Sequence, residues 1–236
     1  LMATQVYKTL SKIVGVVLLL VGVVALIGGN FAHGYVSDQL ADQSITMATN
    51  ESIDSQLAAG RISEDDAAAL RKYAGQEMTT GPQAEVFANH YIHAHMAAAA
   101  KAAGVPEDQA NYSAIGGLVT KYTNALKEEL KALPENANAT DAQIAAQAAA
   151  EIANPDTTYE NAQQAAKLQT LRMDTFLDGN TLRGMLLNAY GWWLVGTIAQ
   201  AAGWALIVVG VALTAFGFIF KGKSTTAGAE SSATGV

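Results

Sequence analysis

Two long stretches nearly free of charge govern what this chain can fold into. Residues 13–32 read IVGVVLLLVGVVALIGGNFA, and residues 184–220 read GMLLNAYGWWLVGTIAQAAGWALIVVGVALTAFGFIF. A helix of about 20 apolar residues crosses about 30 Å of hydrocarbon. Each stretch therefore predicts a membrane span. The second is too long for one bilayer, because 182–220 as helix measures about 58 Å at about 1.5 Å per residue. The crossing part is expected at 198–220, with 182–197 projecting from the membrane. Tyr190, Trp192 and Trp193 then fall at or above the outer interface, and Tyr35 anchors the first helix likewise. Tyr and Trp concentrate in that zone. The first stretch also has the basic start and apolar run of a signal peptide. Its run is longer than a signal needs, no A-x-A site follows, and Asn30 with Ala32 makes a poor cleavage pair. A retained span is the better reading.

Charge sets the expected orientation. Lys8 and Lys12 precede the first span, and Lys221 and Lys223 follow the second. Short Lys- and Arg-rich flanks stay cytoplasmic. Residues 33–182 carry nine Lys plus Arg against twenty Asp plus Glu, a net of −11 within a chain whose total is −7. An acidic segment between basic ends predicts both termini in the cytoplasm and the centre outside the plasma membrane. A nucleic-acid partner is excluded for that segment, since phosphate binding demands the opposite sign. The chain has no cysteine. Disulfides, thiol-attached haem and iron–sulfur clusters are thereby removed, and any outer domain must be held by helix packing. The expected order is a cytoplasmic start at 1–12, a first span at 13–32, an acidic helical domain at 33–181, the projecting helix at 182–197, the second span at 198–220, and a small, polar tail at 221–236 whose composition predicts disorder.

Glycines recur at a fixed step in both spans. Gly15, Gly22 and Gly29 are spaced by sevens, and so are Gly196, Gly203, Gly210 and Gly217. A seven-residue step keeps one seam on a helix that supercoils left-handedly, and small residues on a seam let membrane helices approach closely. The two spans are expected to pack as an antiparallel hairpin, with Gly15 against Gly217, Gly22 against Gly210 and Gly29 against Gly203; the alternative is that these faces pack against other subunits.

The central segment reads as helices with clear punctuation and no useful strand alternation. Asn50 is a candidate cap for a helix ended by Gly60. Ser63 precedes Glu64, Asp65 and Asp66, a start with acids in the first turn, and Gly75 stops that helix. Pro82 suits a first helical turn, and its helix runs to Gly104. Further helices are expected at 113–133, 140–153 and 158–177. Asp178, Gly179 and Asn180 read as a turn, with Thr181 capping the long second span. Residues 134–155 are mostly alanine and small polar residues, which bury little and suggest a mobile insertion. The fold class is thus an all-α membrane protein of two spans with a helical extracytoplasmic domain between them.

Reactive chemistry is thin. His90, His93 and His95 cluster in NHYIHAH. His90 and His93 are one helical turn apart and are weak candidates for a shared metal, while His95 points elsewhere. No carboxylate stands at matching spacing, and His33 joins only if the fold brings the first helix alongside. Partly buried helix residues are the commoner state of such histidines. The acids at 64–66 complement a helix dipole. No phosphate loop, nucleophile elbow or metal-ligand motif is present, so no catalytic residue and no cofactor is assigned.

Three segments carry a resemblance: GPQAEVFANHYIHAHM at 81–96, LRGMLLNAYGWWLVGTIA at 182–199, and YVSDQLADQSITM after the first span. They resemble a family of small two-pass actinobacterial membrane proteins often labelled aromatic ring-opening dioxygenases. The likeness covers most of the chain, with 134–155 as an insertion. It implies an actinobacterial cell membrane and the fold above. It carries over no catalytic motif, and a non-haem iron oxygenase uses two His and a carboxylate where this sequence offers a His pair. Proteins of this size, layout and lineage include accessory subunits of the cytochrome bc–cytochrome oxidase supercomplex. The expected function is therefore a non-enzymatic accessory subunit of a larger, respiratory membrane complex. The alternative is an envelope binding or sensing protein whose helical domain holds a ligand.

Overall fold

A computed structural model describes residues 2–219. The flanking Lys221 and Lys223 and the tail lie outside the described residues. Among the described residues the fold is all helical, and the single β feature is an isolated antiparallel bridge between Thr46 and Glu77. The described residues form nine α-helices in order: α1 (Met2–Ala41), α2 (Asn50–Ala58), α3 (Glu64–Arg71), α4 (Gly81–Val86), α5 (His93–Ala102), α6 (Tyr112–Lys131), α7 (Asp141–Ala153), α8 (Glu160–Thr170) and α9 (Asp178–Ile219). A π-helical turn at Phe87–Ile92 joins α4 to α5, and another at Leu171–Leu177 joins α8 to α9. The chain forms two compact units, Leu1–Gly34 with Leu194–Val236, and Tyr35–Trp193. Helices α1 and α9 each contribute to both.

In the first unit, stretches of α1 and α9 are long and apolar enough to cross a membrane. They meet along glycines. A methyl group on Gly22 would lie 2.8 Å from the Gly203 carbonyl, and one on Gly29 would lie 2.6 Å from the Gly196 carbonyl. One on Gly15 would lie 2.8 Å from the Gly210 carbonyl and against the side chain of Thr214. The neighbour four residues further on fills the other side, as Leu26 does beside Gly203 and Leu19 beside Gly210. The glycine pairing therefore differs from the sequence expectation by one heptad: Gly22 faces Gly203 and not Gly210, and Gly217 meets Lys8 and Lys12. Either register pairs three glycines with three, so the spacing alone does not choose. Polar groups favour the observed one. His33 Nε2 lies 3.0 Å from Thr197 Oγ1, and the Lys12 ammonium sits 3.9 Å from the centre of the Phe218 ring. A one-heptad slip would set Trp204 where Thr197 meets His33.

The second unit is built around three apolar clusters. Met47, Ile53, Leu70 and Met78 bury α2 and α3 against Ala84 and Ala88, with Val36, Leu40 and Leu186 in the same core. Met96, Ile115, Leu168 and Phe176 join α5, α6, α8 and the second π turn. Leu126, Leu130, Ile144, Ala148 and Ala162 join α6, α7 and α8. The segment 134–155 is thus packed helix. Ile144 is fully buried, and buried Asn136 exchanges hydrogen bonds with Gln147 and donates to the Leu130 carbonyl. Its alanines give a thin helix, and two well-placed residues suffice to seat it.

Caps fix most boundaries. Ser63 with Asp66, Thr80 with Gln83, and Thr140 with Gln143 form reciprocal capping boxes, each satisfying two amides that the helix leaves without partners. Thr49 and not Asn50 caps α2. Gly75 and Gly104 take positive φ just beyond α3 and α5, a conformation that costs a side chain dearly. The expected turn at 178–180 is absent. Helix runs without a break from Glu160 to Ile219, and Thr181 donates its hydroxyl to the Leu177 carbonyl instead of capping. Gly179 is there for closeness: a methyl group on it would lie 2.5 Å from the Met96 sulfur.

Candidate functional site: the groove along helix α5

The histidine segment spans the junction between the first π turn and α5. His90 lies within the π turn, and its Nδ1 is 2.9 Å from Asp66 Oδ1 on α3. The other carboxylate oxygen of Asp66 accepts from the Ser63 hydroxyl at 2.6 Å and from the Ser63 amide at 3.0 Å. Partial burial opposes ionisation of Asp66, but the bonds from Ser63 and His90 outweigh it and hold the carboxyl below its usual range. Here the carboxylate is central, with serine and histidine on its two sides. A depressed carboxylate is a poor base, and a serine donating to it is not activated. The trio ties α3 to the π turn.

A π turn closes its hydrogen bonds at i→i+5 and rotates less per residue than an α-helix. His90 bonds Asp66, while His93 lines a groove that Asp66 also borders. Among the described residues no group of three or more His, Asp and Glu stands close enough to hold a metal. His95 Nδ1 lies 2.7 Å from the Tyr91 carbonyl, and its ring tilts against Tyr91 at 4.4 Å, continuing a stack from Phe87. His33 belongs to the other unit, beside Thr197 and Gln200.

The groove runs along α5, floored by Ala94, Ala97 and Ala98. Arg61, Lys101 and Glu107 stand on its sides. It deepens at one end into a cavity of about 340 Å³ lined by His93, Met96, Glu107, Asn111, Phe176, Asn180 and Arg183 among others. Arg183, on the first turns of α9, is half-buried and donates to the Ala88 carbonyl at 3.1 Å and to Asn89 Oδ1 at 3.1 Å. Asn89 in turn donates to Glu85 at 2.8 Å. Partial desolvation, and then the Arg183 charge, push the His93 imidazole below its usual range. His93 is thus a neutral donor–acceptor near pH 7. Sequence reasoning missed Arg183 and Glu107, which stand 76 residues apart in different helical segments with no motif linking them.

Of the expected interface aromatics, Tyr35 and Trp192 are exposed. Trp193 instead packs on the core of the second unit, its side chain against Gly81. Gly81 is open to that ring only because it lacks a side chain.

Comparison with protein-family models, curated proteins and solved structures finds no match to this chain.

Proposed function

We propose that this chain is a two-span membrane protein that acts as a non-enzymatic accessory subunit of a larger membrane complex. One observation carries the reading. In the first unit the buried residues, among those described, are the seven glycines of the seam. The large apolar side chains point away from it, with Val24, Ile27, Phe31, Val208 and Phe218 all more than 60% exposed. In water such a surface would be untenable. Against lipid and neighbouring membrane helices it is the expected exterior, because association there rests on close packing of small residues.

In this reading α1 and α9 form an antiparallel hairpin through the plasma membrane. The basic flanks keep both termini cytoplasmic, and the acidic unit Tyr35–Trp193 lies outside. The respiratory cytochrome bc–cytochrome oxidase assembly is the proposed host, supported by the resemblance in layout and lineage. The test is purification of the tagged full chain in mild detergent. Haem absorbance and oxidase subunits co-purifying in fixed ratio support the proposal; a haem-free preparation from respiring cells refutes the respiratory assignment. The cavity at Arg183 favours a second reading, an envelope protein that binds a small ligand.

A further inference from the structure

The cavity beside α5 holds two opposite charges that do not neutralise each other. Arg183 and Glu107 both line it, yet neither belongs to any ion pair found among the described residues. Arg183 is half-buried, and its two hydrogen bonds go to uncharged oxygens, so the guanidinium retains donors and its full charge. Those same bonds fix its orientation, and they exist because the first π turn presents the Ala88 carbonyl and the Asn89 side chain side by side. Glu107 stands exposed on a short 3-10 turn at the rim. Buried Met96 and Phe176, with Ala97 and Ala110, line the same cavity. Neutral His93 and the amides of Asn111 and Asn180 add polar contacts without adding charge.

A fixed cation, a separate anion at the rim and an apolar base in one cavity match a dipolar ligand. We infer that this cavity binds a small zwitterion of the amino-acid class: a carboxylate on Arg183, an ammonium toward Glu107, and an apolar side chain on Met96 and Phe176. A simple anion would be repelled by Glu107, and a simple cation by Arg183. The volume of about 340 Å³ admits one amino acid with an aromatic or branched side chain. The inference is independent of membership in a respiratory complex, since a subunit of either kind can carry the site.

The test uses the full chain in detergent, titrated by calorimetry with L-phenylalanine and three analogues: 3-phenylpropionate, which lacks the ammonium; phenylalanine amide, which lacks the carboxylate; and phosphoethanolamine, which keeps both charges as a lipid headgroup would but has no apolar part. Phenylalanine is expected to bind with a Kd of roughly millimolar or tighter for a ligand of its size. Each analogue should bind at least about tenfold more weakly, the loss of one charge-assisted contact or of the apolar one. Glu107→Gln, which breaks no hydrogen bond within the protein, should invert the order so that 3-phenylpropionate outbinds phenylalanine. Arg183→Gln should abolish binding of both; if that variant unfolds, the Glu107→Gln inversion decides alone. Absence of phenylalanine binding to the folded chain overturns the inference, as does an unchanged order in Glu107→Gln. Tighter binding of phosphoethanolamine than of phenylalanine also overturns it and reassigns the cavity to lipid headgroups.

Discussion

Replacing Gly22 with alanine adds one methyl group at the closest approach of α1 and α9. That methyl would lie 2.7 Å from Ile207 Cγ1, 2.8 Å from the Gly203 carbonyl and 3.1 Å from the Ile207 amide nitrogen. Ile207 can rotate its side chain, but the two backbone atoms cannot yield without moving the helix. Ordinary contact is restored only if the helices part by about 0.6 Å, and a gap of that size forfeits about a quarter of the dispersion energy at each neighbouring contact. Overpacking of this kind costs about 1–3 kcal/mol, which changes an unfolding equilibrium by roughly fivefold to a hundredfold. Gly28 supplies the control on the same helix, since nothing lies within 4 Å of a methyl placed there. Gly28→Ala is expected to be neutral or slightly stabilising, because alanine favours helix. The assay is denaturant titration in detergent, followed by helix content. The expected result is a lower midpoint for Gly22→Ala than for Gly28→Ala, with Gly203→Ala as damaging as Gly22→Ala. Equal midpoints for Gly22→Ala and Gly28→Ala would refute the seam.

The register can be read by chemistry, since no native cysteine interferes: cysteines at 33 and 197 should oxidise to a crosslink, and cysteines at 33 and 204 should not. Crosslinking of the second pair alone would restore the register expected from sequence. Gly179→Ala should destabilise the second unit by about 1 kcal/mol, the low end for overpacking, because its methyl meets the flexible side chain of Met96 and no backbone; shortening Met96 to alanine in the same chain should recover part of the loss from Gly179→Ala, and no recovery would mean that the contact is not the cause. Stability should also fall with acid in two windows. Just below the ordinary histidine pKa of about 6.5, the unfolded chain protonates His93 while the folded chain, with its lowered value, does not; the linkage slope is therefore positive. Well below that, protonation of Asp66 removes its bonds to Ser63 and His90 in the same direction. His93→Gln should flatten the first window and Asp66→Asn the second, and slopes unchanged by either would rule out these groups. Finally, protein purified without chelator should carry less than one zinc or iron per chain; a stoichiometric metal lost in His90→Ala would contradict the separate roles assigned to His90 and His93.

Local chemistry settled much of this protein in advance. Ser63, Thr140, Gly75 and Gly104 mark helix ends in the sequence because a cap or a positive φ is a property of a few adjacent residues. The apolar runs and the glycine sevens are likewise local, and they place two long helices with a small-residue stripe on each. What lies beyond a few residues was decided by packing. Three glycines fit three glycines in two registers, and His33 meeting Thr197 favours one of them, a contact spanning 164 residues. Gly179 carries the signature of a turn yet sits in continuous helix, because the space it leaves is filled by Met96, which is remote in sequence. The alanine-rich 134–155 reads as loose until Ile144 is seen against Leu126 and Leu130. Most of all, the π turn at 87–92 leaves no mark that periodicity can detect. By offering Ala88 and Asn89 to Arg183, a contact spanning 95 residues, it holds a guanidinium at a cavity that no local pattern announces.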